Sequence, residues 1–233
     1  MPSAALPKRP AALALAFVVG CAGPALPDTA NLAPAEAAHS GPVTRVVLAQ
    51  RNYEAAIEHG DALLLVGAIR LARSVTLRPA IGWTRTISGP APGEQPAGRT
   101  AAPDPASPEA LRIAQALAGE DPTLQDLVYD IDAQLPIDRH ATVTEAQSEL
   151  AGGQSDIWRI ALPGDVPAEL GLIGDGDTAL SLTVADEAGN SVCAVPAQAD
   201  PALCRFTPPR NEFYSVTVTN SGQIRNSYRL IGN

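Results

Sequence analysis

The sequence predicts an α+β protein, in which a small N-terminal helical bundle built from helical hairpins is followed by a seven-stranded antiparallel β-sandwich. Hydrophobic residues before Leu135 recur at helical spacing, whereas after it they alternate with polar residues at a period of two. The chain has 22 prolines and 19 glycines but only 4% aromatic residues, which is typical of short elements joined by many turns. A hydrophobic share of 45% over 233 residues is enough to bury a core.

The N-terminus has the pattern of an export signal. Lys8 and Arg9 precede an apolar run from Ala11 to Val19. This run is too short for a membrane-spanning helix, which needs roughly 20 apolar residues. We therefore predict a signal peptide over residues 1–20.

The residues that end this segment, "VVGC" from Val18 to Cys21, resemble the lipobox of bacterial lipoproteins. The resemblance implies that Cys21 carries the lipid, including palmitate, and anchors the chain in the bilayer of the cell envelope, facing the periplasm. Ala22 after the cysteine favours the outer over the inner membrane by the sorting convention of that family. The alternative is ordinary signal cleavage after Ala22 or Ala30, which would give a soluble periplasmic or secreted protein.

Residues 21–42 contain several prolines and little apolar periodicity, which predicts a tether.

Residues 43–135 form the predicted helical domain. Its first hairpin turns at His59 to Asp61 and resembles one unit of a tetratricopeptide repeat. The two helices of the second hairpin are predicted to begin at Ser107 and at Asp121, and each of these N-cap residues is followed by proline. Between the hairpins, residues 76–106 are rich in proline and glycine and predict an exposed, disordered loop.

The predicted sandwich domain covers residues 148–233. Its seven strands are short, follow one another at roughly 8 to 12 residues, and alternate apolar with polar positions. They are Ile157–Leu162, Ala168–Ile173, Ala179–Val184, Ser191–Val195, Leu203–Phe206, Phe213–Thr219 and Ser227–Ile231.

Three cysteines in an exported chain leave one over if two pair. Cys193 and Cys204 lie close in sequence within the predicted sandwich and can form a disulfide in an oxidising periplasm. Lipidation would then account for Cys21.

Four segments of the second half resemble the bacterial pre-peptidase C-terminal domain: "IWRIALPGD", "GDGDTALSLTVADEAGN", "RFTPPRNEFYSVTVTNSG" and "NSYRLI". Members of that family are β-sandwich modules attached to secreted proteases and other envelope proteins. Some bind calcium, carbohydrate or collagen-like surfaces, and others position a neighbouring domain. The resemblance implies such a module from about Ser148 to Asn233.

The second of these segments holds the weak candidates for a metal site, Asp175, Asp177 and Asp186. A calcium loop of the EF-hand type needs oxygen ligands at alternating positions, but Ala179 stands at the fifth. One interpretation is therefore a pair of turns whose backbone the aspartates hydrogen-bond. The other is a weak ion site shared with another loop. We predict no cofactor.

The net charge of −9, with no basic run, excludes nucleic acid as a partner. The motifs of serine hydrolases, zinc proteases, P-loop enzymes and CxxC oxidoreductases are missing, and no catalytic residue is predicted. We predict a non-enzymatic envelope lipoprotein that acts as a binding or positioning module, with the bilayer and a protein or glycan as partners. The alternative is an accessory or degenerate module of a secreted hydrolase or protease system.

Overall fold

The computed structural model describes residues 41–90, 93, 95–96, 98, 101–133 and 141–233. The predicted signal peptide, Cys21 and all but the last two residues of the predicted tether lie outside this part of the chain. The described residues belong to one compact unit, Ala38–Asn233, so the helices and the sandwich pack together.

Helices form where the sequence predicts two hairpins. They are α1 (Pro42–His59), α2 (Ala62–Arg73), α3 (Pro108–Ala118) and α4 (Pro122–Ala133). Both predicted caps are confirmed: the Ser107 hydroxyl accepts a hydrogen bond from the N–H of Ala110, and Asp121 Oδ1 accepts one from the N–H of Thr123. The four helices share a hydrophobic cluster that includes Tyr53, Leu65, Leu111 and Val128.

Ten strands form two sheets in the described part of the chain. The strands are β1 (Val75–Pro79), β2 (Thr84–Ser88), β3 (Ala141–Leu150), β4 (Ser155–Leu162), β5 (Ala168–Gly174), β6 (Leu180–Ala185), β7 (Ser191–Val195), β8 (Ala202–Phe206), β9 (Glu212–Asn220) and β10 (Asn226–Gly232). The first sheet has the order β1-β3-β10-β5-β8, and the second has the order β2-β4-β9-β6-β7. Their inner faces enclose the main core, which includes Trp158, Leu172, Leu182 and Val216.

The structure confirms the α+β class and corrects the number and direction of the strands. All seven predicted strands are present, but β1, β2 and β3 add three more, and β1 pairs with β3 in parallel. Strand β2 and all of β1 except Val75 lie within the range 76–106, so the prediction of a disordered loop is wrong there. The alternation that reveals a half-buried strand is absent from β2, because all five of its residues are exposed.

Trp83 holds the chain where it crosses from the first sheet to the second. Its ring meets that of Trp158 edge to face, with 6.4 Å between the ring centroids. A side chain at Gly232 would come within 3.2 Å of the same indole. The tryptophan therefore closes one edge of the sandwich and fixes the start of β2.

Helix α1 covers the outer face of the first sheet. Val43, Val46 and Val47 pack there against Ile173 and Ile231. Gly171 on β5 permits this approach, because a Cβ at that position would come within 3.0 Å of both Val43 and Val47. Strand β5 is buried along its whole length as a result.

Candidate functional site

The three aspartates predicted as weak metal candidates lie at two separate turns. Asp175 and Asp177 precede strand β6, and Asp186 follows it. A strand of six residues spans about 20 Å, so Asp186 is far from the other two. The structure does not bring them together.

Asp175 is almost fully buried and organises its turn through both carboxylate oxygens. Oδ1 accepts the N–H of Asp177 at 3.0 Å, and Oδ2 accepts the N–H of Ser227 on β10 at 2.6 Å. Gly176 provides the positive φ of 86° that this turn requires. These contacts agree with the interpretation of the aspartates as turn residues.

Asp186 forms the second turn with Asn190. Its carboxylate accepts hydrogen bonds from the side-chain amide of Asn190 at 2.9 Å and from the backbone N–H of Asn190 at 2.8 Å. These bonds lower the pKa of the Asp186 carboxyl, because they favour its charged form. Within the described ranges, no group of three or more His, Cys, Asp or Glu is placed to hold a metal ion.

The predicted disulfide between Cys193 and Cys204 is confirmed. Cys193 lies on β7 and Cys204 on β8, which are edge strands of different sheets. The bond therefore ties the two sheets together at one side of the sandwich. Cys21, predicted to carry the lipid, lies outside the described residues.

Asp200 is an acidic residue that the sequence analysis did not single out. It lines a groove of about 290 Å³ together with Glu54 and Thr178, and its Oδ1 accepts the N–H of Gly174 at 3.2 Å. Burial raises the pKa of Asp200 to about 6, the Gly174 N–H opposes this rise, and the carboxylates of Glu54 and Asp175 add to it. The Gly-Asp-Gly-Asp segment that starts at Gly174 does not point to Asp200, because Asp200 lies 25 residues after Asp175 in the chain.

A second polar network is buried between the sheets. Trp158 Nε1 donates to the Tyr228 hydroxyl at 2.8 Å, and that hydroxyl donates to Asp156, which is fully buried. Arg85 from β2 pairs with the same carboxylate at 2.8 Å. Burial and the bond to Asp156 raise the pKa of Tyr228, so its hydroxyl stays protonated and acts as a donor.

The outer face of the second sheet is lined mainly by hydroxyl side chains. Nine serine and threonine side chains project from four adjacent strands, and we call this surface the hydroxyl face. Its members are Thr84, Thr86 and Ser88 of β2, Ser155 of β4, Ser181 and Thr183 of β6, and Ser215, Thr217 and Thr219 of β9.

The strand registers align these hydroxyls in rows. One row across the sheet consists of Ser88, Ser155, Thr219 and Ser181. Neighbouring strands are about 4.8 Å apart, and residues on one face repeat about every 6.7 Å, so the hydroxyls form a regular grid. All nine are exposed or half-buried.

The hydroxyl face carries little charge. Among the outward positions of β2, β4, β6 and β9, Arg159 is the one charged residue. Its guanidinium carbon lies 3.6 Å from the centre of the Phe213 ring, and its Nη2 is 3.8 Å from Glu187. The sequence contains the alternation that builds this face, as in Thr217 and Thr219, but not the register that aligns it.

Among the helices that the structure describes, none combines the length and apolar character needed to cross a lipid bilayer. No protein-family model and no curated protein matches the chain.

Solved structures resemble part of the chain. The pre-peptidase C-terminal domain of collagenase from Bacillus anthracis is similar over 39% of this chain and 88% of that one, with 14% identity and a TM-score of 0.35. The protein PliG from Aeromonas hydrophila, a periplasmic inhibitor of g-type lysozyme, is similar over 42% of this chain and 91% of its own, with 9% identity and a TM-score of 0.32.

The enzymatically active domain of tailspike protein 4 from bacteriophage CBA120 is similar over 65% of this chain, with 12% identity and a TM-score of 0.29. The match spans 19% of that structure. By its own helices and strands the chain is an α+β protein.

Proposed function

We propose that this protein is a non-enzymatic binding module of the bacterial envelope, anchored through a lipid on Cys21, and that its hydroxyl face binds uncharged glycan chains. The observation that carries the proposal is the grid of nine outward Ser and Thr side chains on one sheet face. The predicted export signal and the lipobox-like sequence before Cys21 support the location.

Hydroxyl groups are suited to this ligand because each can donate or accept a hydrogen bond. A glycan chain presents many hydroxyls of its own, so each Ser or Thr hydroxyl of the face can act towards it as a hydrogen-bond donor or as an acceptor. Alternation with core residues places the polar side chains of these strands on the outer face, and threonine has a high strand propensity. Neither factor requires hydroxyl groups instead of charged groups at these positions.

Two further residues support an uncharged, partly apolar ligand. Ile157 lies in the centre of the face, between Thr86 and Thr217, and offers a patch for the C–H groups of a sugar ring. The guanidinium of Arg159 stacks on Phe213 and offers hydrogen-bond donors in a fixed place. The chain as a whole has a net charge of −9, but the outward strand positions of the hydroxyl face carry no carboxylate.

Co-sedimentation of the purified chain with cellulose, chitin and peptidoglycan sacculi tests the glycan proposal. We expect binding to at least one of these polymers and its loss in Thr217→Lys, which places a charge in the centre of the face. Thr142→Lys is the matched control, because Thr142 is an exposed threonine on the first sheet. Failure of all three polymers, or equal loss in both variants, would overturn the glycan proposal.

The anchor has its own test. Metabolic labelling with a palmitate analogue should label the wild-type chain and leave Cys21→Ser unlabelled. An unlabelled wild type would refute the lipid anchor and leave the glycan proposal standing.

A further inference from the structure

A pocket of about 400 Å³ lies on the first sheet, away from the hydroxyl face. Its volume is in the usual range for a small-molecule site. The segment 101–104 forms one wall, and strands β1, β3 and β10 form the others. The lining includes Leu77, Ala102, Asp104, Glu145, Gln147 and Arg229. We call it the Arg229 pocket.

Arg229 and Glu145 form an ion pair within this wall. The Arg229 Nε donates to Glu145 Oε1, and the two side chains are only 12% and 14% exposed. The other carboxylate oxygen of Glu145 accepts from Gln147 at 3.3 Å. Within the described part of the chain, the two Nη groups of Arg229 have no hydrogen-bond partner. They remain able to hold a carboxylate of a ligand.

The pocket also has an excess of negative charge. Glu149 at its rim pairs with Arg225 at 3.1 Å, and Glu145 pairs with Arg229. Asp104 has no cationic partner among the described residues, and its Oδ1 accepts the N–H of Ala106. The carboxylate of Asp104 is therefore available to attract the cationic group of a ligand.

A small recess of about 20 Å³ adjoins the pocket and shares Leu77, Asp104 and Arg229 with it. Gln50 lines this recess and is 1% exposed. Its Oε1 is buried and lacks a hydrogen-bond donor in the described part of the chain. A recess of this size holds about one water or one small ligand group. An acceptor without a donor next to a charged pocket indicates a missing N–H or O–H group.

We propose that the Arg229 pocket binds a free basic α-amino acid. The Nη groups of Arg229 hold its carboxylate, and Glu145 holds its α-ammonium group. Gln50 accepts a hydrogen bond from that ammonium group, directly or through one water. Leu77 and Ala102 contact the methylene groups of its side chain, and Asp104 pairs with the cation at the end.

Isothermal titration calorimetry of the full chain with three ligands tests this assignment. L-Lysine has every required group, L-norleucine lacks the side-chain cation, and cadaverine lacks the carboxylate. We expect lysine to bind most tightly, norleucine at least about tenfold more weakly and cadaverine more weakly still. No heat with lysine, or cadaverine binding as tightly as lysine, would overturn the proposal.

Two variants locate the site. Arg229→Met should weaken lysine binding at least about tenfold, whereas Arg70→Met, an exposed arginine on α2, should leave it unchanged. Ala101→Trp fills the pocket and keeps every charge, and because Ala101 is exposed, the substitution spares the core. Lysine binding that survives Ala101→Trp would place the ligand elsewhere and refute the proposal.

Discussion

The carboxylate of Glu169 on β5 caps helix α1 by accepting the backbone N–H of Thr44 at 3.1 Å. The same carboxylate accepts the Thr44 hydroxyl at 2.6 Å and the N–H of Gly41 at 3.2 Å. Helix N-termini leave N–H groups without partners and favour negative charge. A residue of the sandwich thus provides the cap that α1 lacks in its own sequence, where Gly41 has no side chain to offer.

We expect Glu169→Gln to lower the free energy of unfolding by about 1–3 kcal/mol, because an amide nitrogen would then face buried N–H donors. Amide hydrogen exchange should rise mainly in α1. Glu120→Gln, at an exposed position between α3 and α4, is the matched control and should change neither quantity. Unchanged exchange in α1 of the Glu169 variant would contradict the capping role.

The buried Tyr228 hydroxyl should matter for stability. Tyr228→Phe leaves Trp158 Nε1 without its acceptor and Asp156 without one donor, so we expect a loss of about 3 kcal/mol in urea unfolding. Tyr129→Phe removes the same hydroxyl from a residue that is 70% exposed and should have little effect. Equal effects of the two variants would show that the network adds nothing.

The turn at Asp175 should be independent of calcium. Asp175→Ala removes the acceptor for the N–H groups of Asp177 and Ser227, and we expect about 2–3 kcal/mol of destabilisation with or without calcium. Asp186→Ala, in an exposed turn, should cost less. Thermal unfolding with calcium or a chelator provides the measurement. A calcium-dependent shift of the wild type that Asp175→Ala abolishes would favour an ion site.

Removal of the disulfide should destabilise the sandwich. The double change Cys193→Ser and Cys204→Ser opens a loop with a sequence separation of 11, which corresponds to about 2–3 kcal/mol in the chain-entropy model. Calorimetry with and without reductant measures the effect. Reductant should lower the Tm of the wild type to that of the variant and leave the variant unchanged.

Asp200 should make stability depend on pH. Its pKa is about 6 in the folded protein and about 3.9 when unfolded, so the folded state binds more protons between these values. The contribution of Asp200 to the free energy of unfolding should therefore fall by about 2 kcal/mol as pH rises from 4 to 7. Glu54 and Asp175 face Asp200 with negative charge, while Arg51 partly offsets them.

Asp200→Asn tests this relationship, because the amide keeps an acceptor for Gly174 but carries no charge at any pH. The variant should match the wild type near pH 4 and exceed its Tm at pH 7. Asp126→Asn, at an exposed position of α4, should show no such difference. A pH profile of Asp200→Asn parallel to that of the wild type would refute the prediction.

The sequence by itself determined the elements whose signals are local. Ser107 and Asp121 mark helix starts because a cap acts on residues two or three positions away. Strands β4, β6 and β9 follow from alternation, because one face of each packs on the core and the other is exposed or half-buried. The pairing of Cys193 with Cys204 follows from their proximity in sequence.

Features that join residues far apart in the sequence were decided only by the tertiary structure. Strand β2 has no buried residue and exists through its pairing with β4, which begins 67 residues further on, at Ser155 opposite Ser88. The Glu169 cap, the Arg229 pocket and the rows of the hydroxyl face each join residues far apart in the chain. A hydrogen bond or a strand register constrains such residues only after the two sheets and α1 have packed, so no local pattern reports it.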